Sequence, residues 1–455
     1  MRIKFSSLLV VAVVSFPGIA APDTHPSPSL VTDDYASVIE VTAPALLKKY
    51  KVPAAGVGII KNGEVVFNKV YGELEQGKPA PDNTIFNVAS ITKSVVAVTV
   101  MKLVEKGQWN LDEPLYHYFT DPDIADDPRA KLITTRHCLS HTVGFKNWRR
   151  LEDNGRLQFN FEPGTRYQYS GEGMEYVRKA IEAKFKQPFA DIVDSVVFTP
   201  LAMNDTTLNW LNERQLSRFA MWHDTFGNLH DVDHSTPNTN AADDLLITVE
   251  DMLKFDLAVL KNSVLSQQTF NLMVTPQVTV NRNIEQSLGW VSLDDKSSGV
   301  YLINHDGGDT GVIATNIVFP NSQDAIVVFT NSNNGASVTN RIIADVLQGG
   351  TEIVQKLRWE NPMPEEVDVT TEYLKLFTGV YETNRGFNIE FVIDDDKLMT
   401  VSAVYPRQSL LAIGGDEFVP QPFEVYFRFE QSGGEKVMQL LGPDRKVELT
   451  GTLTD

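Results

Sequence analysis

Ser90-Ile91-Thr92-Lys93 is the segment of this sequence best suited to do chemistry. An i, i+3 spacing places a hydroxyl and an amine on one face of a helix, one turn apart. A serine at a helix N-terminus also sits among free backbone N–H groups, which suit a developing oxyanion. A lysine in apolar surroundings is pushed toward its neutral form and can take the serine's proton. The plain alternative is an N-cap serine followed by a surface lysine. The motif occurs once, and it opens the most apolar helix of the chain, where Val95, Val96, Val98, Val100, Met101, Leu103 and Val104 run on to a stop at Gly107.

Two further segments hold candidate groups. Tyr167-Gln168-Tyr169-Ser170-Gly171 follows Pro163-Gly164, so Tyr169 stands on a constrained loop. A phenol near a lysine can relay a proton, although a tyrosine in an aromatic loop also serves as core packing. His305-Asp306-Gly307-Gly308-Asp309-Thr310-Gly311 precedes an apolar strand. Glycines at a strand edge let a ligand approach and can donate N–H groups to an oxyanion. The bland alternative there is a glycine turn with a surface histidine. Other routes are weaker. No Gly-x-Ser-x-Gly is present. The pairs His137/His141 and His230/His234 lack a His-Glu-x-x-His pattern and a third ligand, so no metal or other cofactor is expected. Gly171-Glu172-Gly173 is not a phosphate loop.

These residues need a scaffold. Asn62-Gly63 between apolar runs at 54–60 and 65–70 predicts a hairpin. Helical patterns occupy 90–106, 175–185, 249–261 and 337–347, and buried strands are expected at 311–319 and 325–330. Past a Pro- and Glu-rich link the period becomes two, with Phe387, Ile389, Phe391 and Ile393, then Phe423, Val425, Phe427 and Phe429. A small antiparallel barrel or sandwich is the expectation there. At the other end, Arg2 and Lys4, an apolar run at 8–14 and Gly18-Ile19-Ala20 read as a signal peptide cleaved near Ala20. The apolar run is well short of the ~20 residues that span a bilayer. The mature protein is thus expected in the periplasm or medium, without a membrane anchor. The chain of 455 residues carries a net charge of −19, which disfavours nucleic acid as a partner. Its one cysteine, Cys138, excludes an intramolecular disulfide framework.

In this order the three motifs resemble the serine β-lactamase-like hydrolases, the superfamily of class C β-lactamases, D-alanyl-D-alanine carboxypeptidases, D-aminopeptidases and esterases. Further likeness lies in Val52-Pro53 with Lys61-Asn62-Gly63-Glu64, and in Thr84-Ile85-Phe86-Asn87-Val88-Ala89 ahead of the serine. Gly107-Gln108-Trp109-Asn110-Leu111-Asp112-Glu113-Pro114, Pro200-Leu201-Ala202-Met203 and Ser287-Leu288-Gly289-Trp290 match other signatures. Leu139-Ser140-His141-Thr142-Val143-Gly144 is similar to the family's Leu-x-His-x-Ser-Gly, with Val143 replacing its serine. His141 reads as a hydrogen-bonded core residue.

The resemblance implies an α+β fold: an antiparallel sheet with helices on both faces and a helical subdomain over the cleft. The organisation expected is a signal at 1–20, a flexible lead at 21–35, a hydrolase domain at 36–355, a link at 356–368 and a lipocalin-like β-domain at 369–455, whose first strand would span 373–381. It implies Ser90 as acylated nucleophile, Lys93 and Tyr169 as general base and acid, and an oxyanion hole from the N–H groups of Ser90 and Gly308. Substrate would meet His305, Gly307 and Gly171. Two departures bear on substrate. Gly171 replaces an asparagine that holds a substrate amide, and His305 replaces the lysine of Lys-Thr-Gly. Both removals predict weak or no β-lactamase activity and hydrolysis of an ester, peptide or amide instead. The alternative is a non-catalytic binding or scaffold protein on the same fold, for which Gly171 is the best support. Oligomeric state is open.

Overall fold

The computed structural model describes residues 27–230, 239–361, 364–420 and 424–454. The expected signal peptide, the start of the lead, His234 and Phe423 lie outside the described residues. At the centre is a nine-stranded antiparallel sheet. Its middle strands run in the order Glu64–Glu75, Ala54–Lys61, Asp324–Thr330, Val312–Phe319, Val300–Asp309, Val291–Asp295. The Asn62-Gly63 hairpin is present, with both residues at positive φ as such a tight turn demands. The central strands are apolar on both faces, as a sheet covered on both sides requires.

Helices supply that cover. Tyr35–Tyr50, Gly335–Val346 and Gly350–Arg358 bury Ile39, Leu47, Val338, Ile342 and Ile353 against Val57, Ile59, Ile326 and Val328. Thr92–Glu105, Val249–Leu260 and Gln267–Val274 pack on the opposite face, in one core with Val327, Phe329 and Ala314. A helical lobe continues this core over the cleft through Thr135–Leu139, Gly171–Phe185 and Phe189–Val193. Cys138 is fully buried in that lobe, and burial pushes its thiol pKa up. A further helix, Gly350–Arg358, follows Gly349 at positive φ and carries the chain into the stretch expected as a link.

Eight strands from Gly379–Thr383 to Val447–Leu453 then form a closed barrel in which each strand pairs with its chain neighbour. Tyr381, Ile389, Phe391, Phe418, Phe427, Phe429 and Met438 fill it. The expected first strand at 373–381 is corrected. Thr371–Leu374 and Lys375–Phe377 are helical, with the Thr370 hydroxyl accepting the Tyr373 N–H at 3.2 Å. That turn buries Leu374 and Phe377, three apart, in the barrel core, which an extended segment would point to opposite sides. Asn334 joins barrel to body. Its amide donates to Tyr50 O at 2.7 Å and Thr225 O at 2.8 Å, and its oxygen accepts the Arg407 N–H at 2.7 Å.

Candidate active site

Ser90 lies on the turn that leads into Thr92–Glu105, its carbonyl accepting the Lys93 N–H at 3.0 Å. The bend before it is tight: Ala89 has φ +43°, held by its N–H to Asn87 Oδ1 at 2.7 Å and by the Thr92 hydroxyl on its carbonyl at 2.5 Å. A non-glycine residue in this region stores strain that the surroundings must hold. Ser90 stays half-buried while the helix behind it is sealed. Lys93, 1 % exposed, donates from Nζ to Ser90 Oγ at 2.8 Å and to Ala242 O at 2.7 Å. Burial drives its pKa well below the usual lysine range, and the carboxylates of Asp243 and Asp309 partly oppose this. Burial likewise pushes Asp243 up, against the pull of Lys93.

Tyr169 precedes the helix Gly171–Phe185, whose N-cap Ser170 accepts the Gly173 N–H at 3.0 Å. Lys93 Nζ is 4.9 Å from the centre of the Tyr169 ring. Burial raises the phenol's pKa, with a hydrogen bond to Ser90 acting the other way, so the phenol is a neutral donor at neutral pH. His141 packs against Tyr169 with ring centroids 4.4 Å apart. Its Nδ1 accepts the Ser170 N–H at 3.1 Å, which leaves the ring proton on Nε2, a buried atom with no hydrogen-bond partner among the described residues. Burial, reinforced by Lys93, lowers His141 far below the usual histidine pKa, so the ring is neutral. It is buried, as expected, but it also touches the site.

His305, Gly307 and Gly308 lie on Val300–Asp309. The neighbouring strand Val291–Asp295 pairs with this strand only from Val300 to Asn304, so the edge from His305 to Asp309 is free on that side. Asp306 O lies 2.8 Å from His305 Nδ1. This marks Asp306 as turning its backbone groups to the free edge, and alternation makes Gly308 do the same. Gly307 is needed for contact, since a Cβ there would lie 2.0 Å from Val88 O, two residues before Ser90. A Cβ on Gly308 would meet only Ile313 Cδ1, at 3.8 Å. His305 is buried, and burial lowers its pKa to about 4, helped by Lys93. It is therefore a neutral group in the position where a lysine would bring charge.

Gly171 is the first residue of its helix, and its N–H donates to Asn147 Oδ1 at 2.8 Å. A Cβ at this position would meet the Trp148 ring at 2.6 Å. The structure thus brings Ser90, Lys93, Tyr169 and His305 to one cleft, with Gly307 fastening the edge that carries Gly308. Sequence reasoning missed Ala242, Asp243, Asn147 and Trp148, which no local motif marks. Among the described residues no group of three His, Cys, Asp or Glu side chains is placed to hold a metal ion.

The family model for Beta-lactamase matches residues 40–349, which include every one of these residues. The chain belongs to the Beta-lactamase family. It is 28 % identical over 207 residues to "Esterase EstB" of Burkholderia gladioli, a match covering 39 % of this chain and 52 % of the esterase. With "Penicillin-binding protein 4*" of Bacillus subtilis it shares 22 % identity, over 62 % of this chain and 69 % of that protein. The chain thus spans only about half of the first of these relatives. Among solved structures, the octameric penicillin-binding protein homologue from Pyrococcus abyssi superposes with a TM-score of 0.60 at 20 % identity. That likeness covers 92 % of this chain and all of the other, so this Beta-lactamase-family fold is shared with its barrel included.

Proposed function

We propose that this protein is an exported serine hydrolase that cleaves an ester through an acyl-enzyme on Ser90. The carrying observation is the 2.8 Å contact from a buried Lys93 Nζ to Ser90 Oγ. Its partners are a hydroxyl and a carbonyl rather than a carboxylate, and its pKa is lowered, so the neutral amine is accessible near neutral pH. Lys93 takes the Ser90 proton as Oγ attacks the substrate carbonyl. The N–H groups of Ser90 and Gly308 receive the oxyanion. Collapse breaks the bond to the leaving oxygen, which takes the Tyr169 proton, and Lys93 returns its proton to the phenolate. Water then repeats the sequence in reverse to free the acid.

The neutral His305 and the absent side chain at Gly171 support an ester over a β-lactam, because neither a carboxylate counter-charge nor an amide partner is offered. Hydrolysis of p-nitrophenyl esters, D-amino-acid amides and nitrocefin, measured side by side with fluorophosphonate labelling, tests this reading. Ester turnover should dominate, and Ser90→Ala should abolish both turnover and labelling. Labelling that persists in Ser90→Ala overturns the nucleophile, and turnover of nitrocefin above that of esters overturns the substrate class.

A further inference from the structure

We propose that Trp148 forms the wall of the acyl-group subsite and selects esters with an apolar acyl chain; this rests on Ser90 being the nucleophile. Ser170, between Tyr169 and Gly171, has extended backbone at φ −145°, ψ 109°. Residues two apart across an extended residue point to the same side. Tyr169 points at Lys93 and Ser90, so position 171 faces the cleft as well. Nothing projects from Gly171 itself. The outer edge of the Trp148 indole stands there instead, with Cη2, Cζ2 and Cζ3 at 2.6, 2.9 and 2.9 Å from where a Cβ would be.

The ring is held from both sides through its chain neighbours. Before it, Asn147 accepts the Gly171 N–H on its side chain at 2.8 Å and the Glu172 N–H on its carbonyl at 3.0 Å. After it, the Arg149 N–H and guanidinium donate to Glu172, with contacts at 3.0, 3.0 and 2.8 Å. Asp121 anchors the same guanidinium at 3.0 Å and Asp123 at 3.1 Å. Residues 147–149 are thus fixed to the first turn of the Tyr169 helix, and the indole between them is half-buried, leaving part of it uncovered. A rigid apolar face at Gly171, two residues from Tyr169, favours alkyl or aryl acyl groups. It offers no partner to an acylamino group next to the scissile carbonyl, which would lose its hydrogen bonds on entering.

The test uses p-nitrophenyl alkylphosphonates of methyl to octyl length, which place the alkyl group where the acyl chain sits. Reaction forms the Ser90 Oγ–P bond, breaks the bond to p-nitrophenolate and passes the serine proton to Lys93. Wild type should label faster as the chain lengthens. The octyl-to-methyl rate ratio should fall about tenfold or more in Trp148→Ala, the scale on which apolar pockets discriminate. Trp148→Phe should recover part of it, and Gly171→Asn, which must displace the ring, should lower it too. Labelling at Ser90 with the same ratio in folded Trp148→Ala and Gly171→Asn overturns the role of Trp148 while leaving Ser90 in place. Labelling that does not occur, or survives Ser90→Ala, overturns the nucleophile and this inference with it.

Discussion

The cleft and the barrel bury their interiors by opposite means. Around Ser90 polar groups are buried and incompletely hydrogen-bonded: His141 Nε2 and Asp243 Oδ1 have no hydrogen-bond partner among the described residues. Inside the barrel, ring meets ring, as with Phe391 and Phe429 at 5.0 Å and Phe377 and Phe418 at 4.8 Å. The barrel's unpaired buried polar atoms, among the described residues, are Arg407 Nε and Gln408 Oε1, on the segment that meets Asn334. Polar atoms buried without a protein partner cost stability, whereas packed rings add to it. The barrel's aromatic filling stabilises the barrel itself, and it meets the body at Asn334.

Four substitutions break or sharpen this contrast, from the largest effect to the smallest. Lys93→Met should lower ester kcat/KM by about 10³–10⁴-fold while raising thermal stability, because it removes a buried amine and keeps its volume. Paired kinetics and thermal melts would show both, and a loss of stability would contradict the view that the site is held at a cost. In the barrel, Phe391→Ala should cost about 3–5 kcal/mol in a denaturant titration, with Ser90 labelling unchanged in the protein that remains folded. A slowed labelling rate in folded protein would tie barrel packing to the chemistry.

His141→Phe keeps a ring against Tyr169 but loses the acceptor for the Ser170 N–H. Leaving that donor unpaired should reduce kcat about tenfold with KM little changed, and the pH–rate profile should not shift, since His141 is neutral already. A changed profile would give His141 a titrating role. The smallest effect concerns Asp256, beneath the site. Its Oδ1 accepts the Asn316 amide at 2.9 Å, and burial raises its pKa from 3.8 to about 8. Between those values the folded state holds a proton that the unfolded chain has lost, so this group's contribution to stability falls as pH rises from 4 to 8. Asp256→Asn should remove that slope, making the variant about 1 kcal/mol or more stabler relative to wild type at pH 8 than at pH 5. Equal differences at both pH values would show an ionised carboxylate.

What could be read from the sequence was local. Ser90 and Lys93 are one helical turn apart, and the alternation at Ile389 and Phe391 repeats every second residue, so neighbours along the chain carry the signal. Tyr169 and His305 are candidates on their local segments, but only likeness to a family separates a site tyrosine from a packing one. Ala242 meets Lys93 across 149 positions and Trp148 meets Gly171 across a loop, so neither could be seen before the fold was known. The strand expected at 373–381 came from likeness to a lipocalin-like domain alone, and burial of Leu374 and Phe377 at the barrel end makes its first part helical instead.

Cys138 turns the helical lobe into its own clock. Its thiol is sealed among lobe residues on the side of the cleft that carries Tyr169, and its raised pKa holds it in the unreactive form. A thiol reagent can reach it only when that lobe opens, and no second cysteine competes for the reagent. The rate of alkylation therefore counts openings of the wall that holds Tyr169 and Trp148, and a slowly released phosphonate on Ser90 would slow the count without any added label.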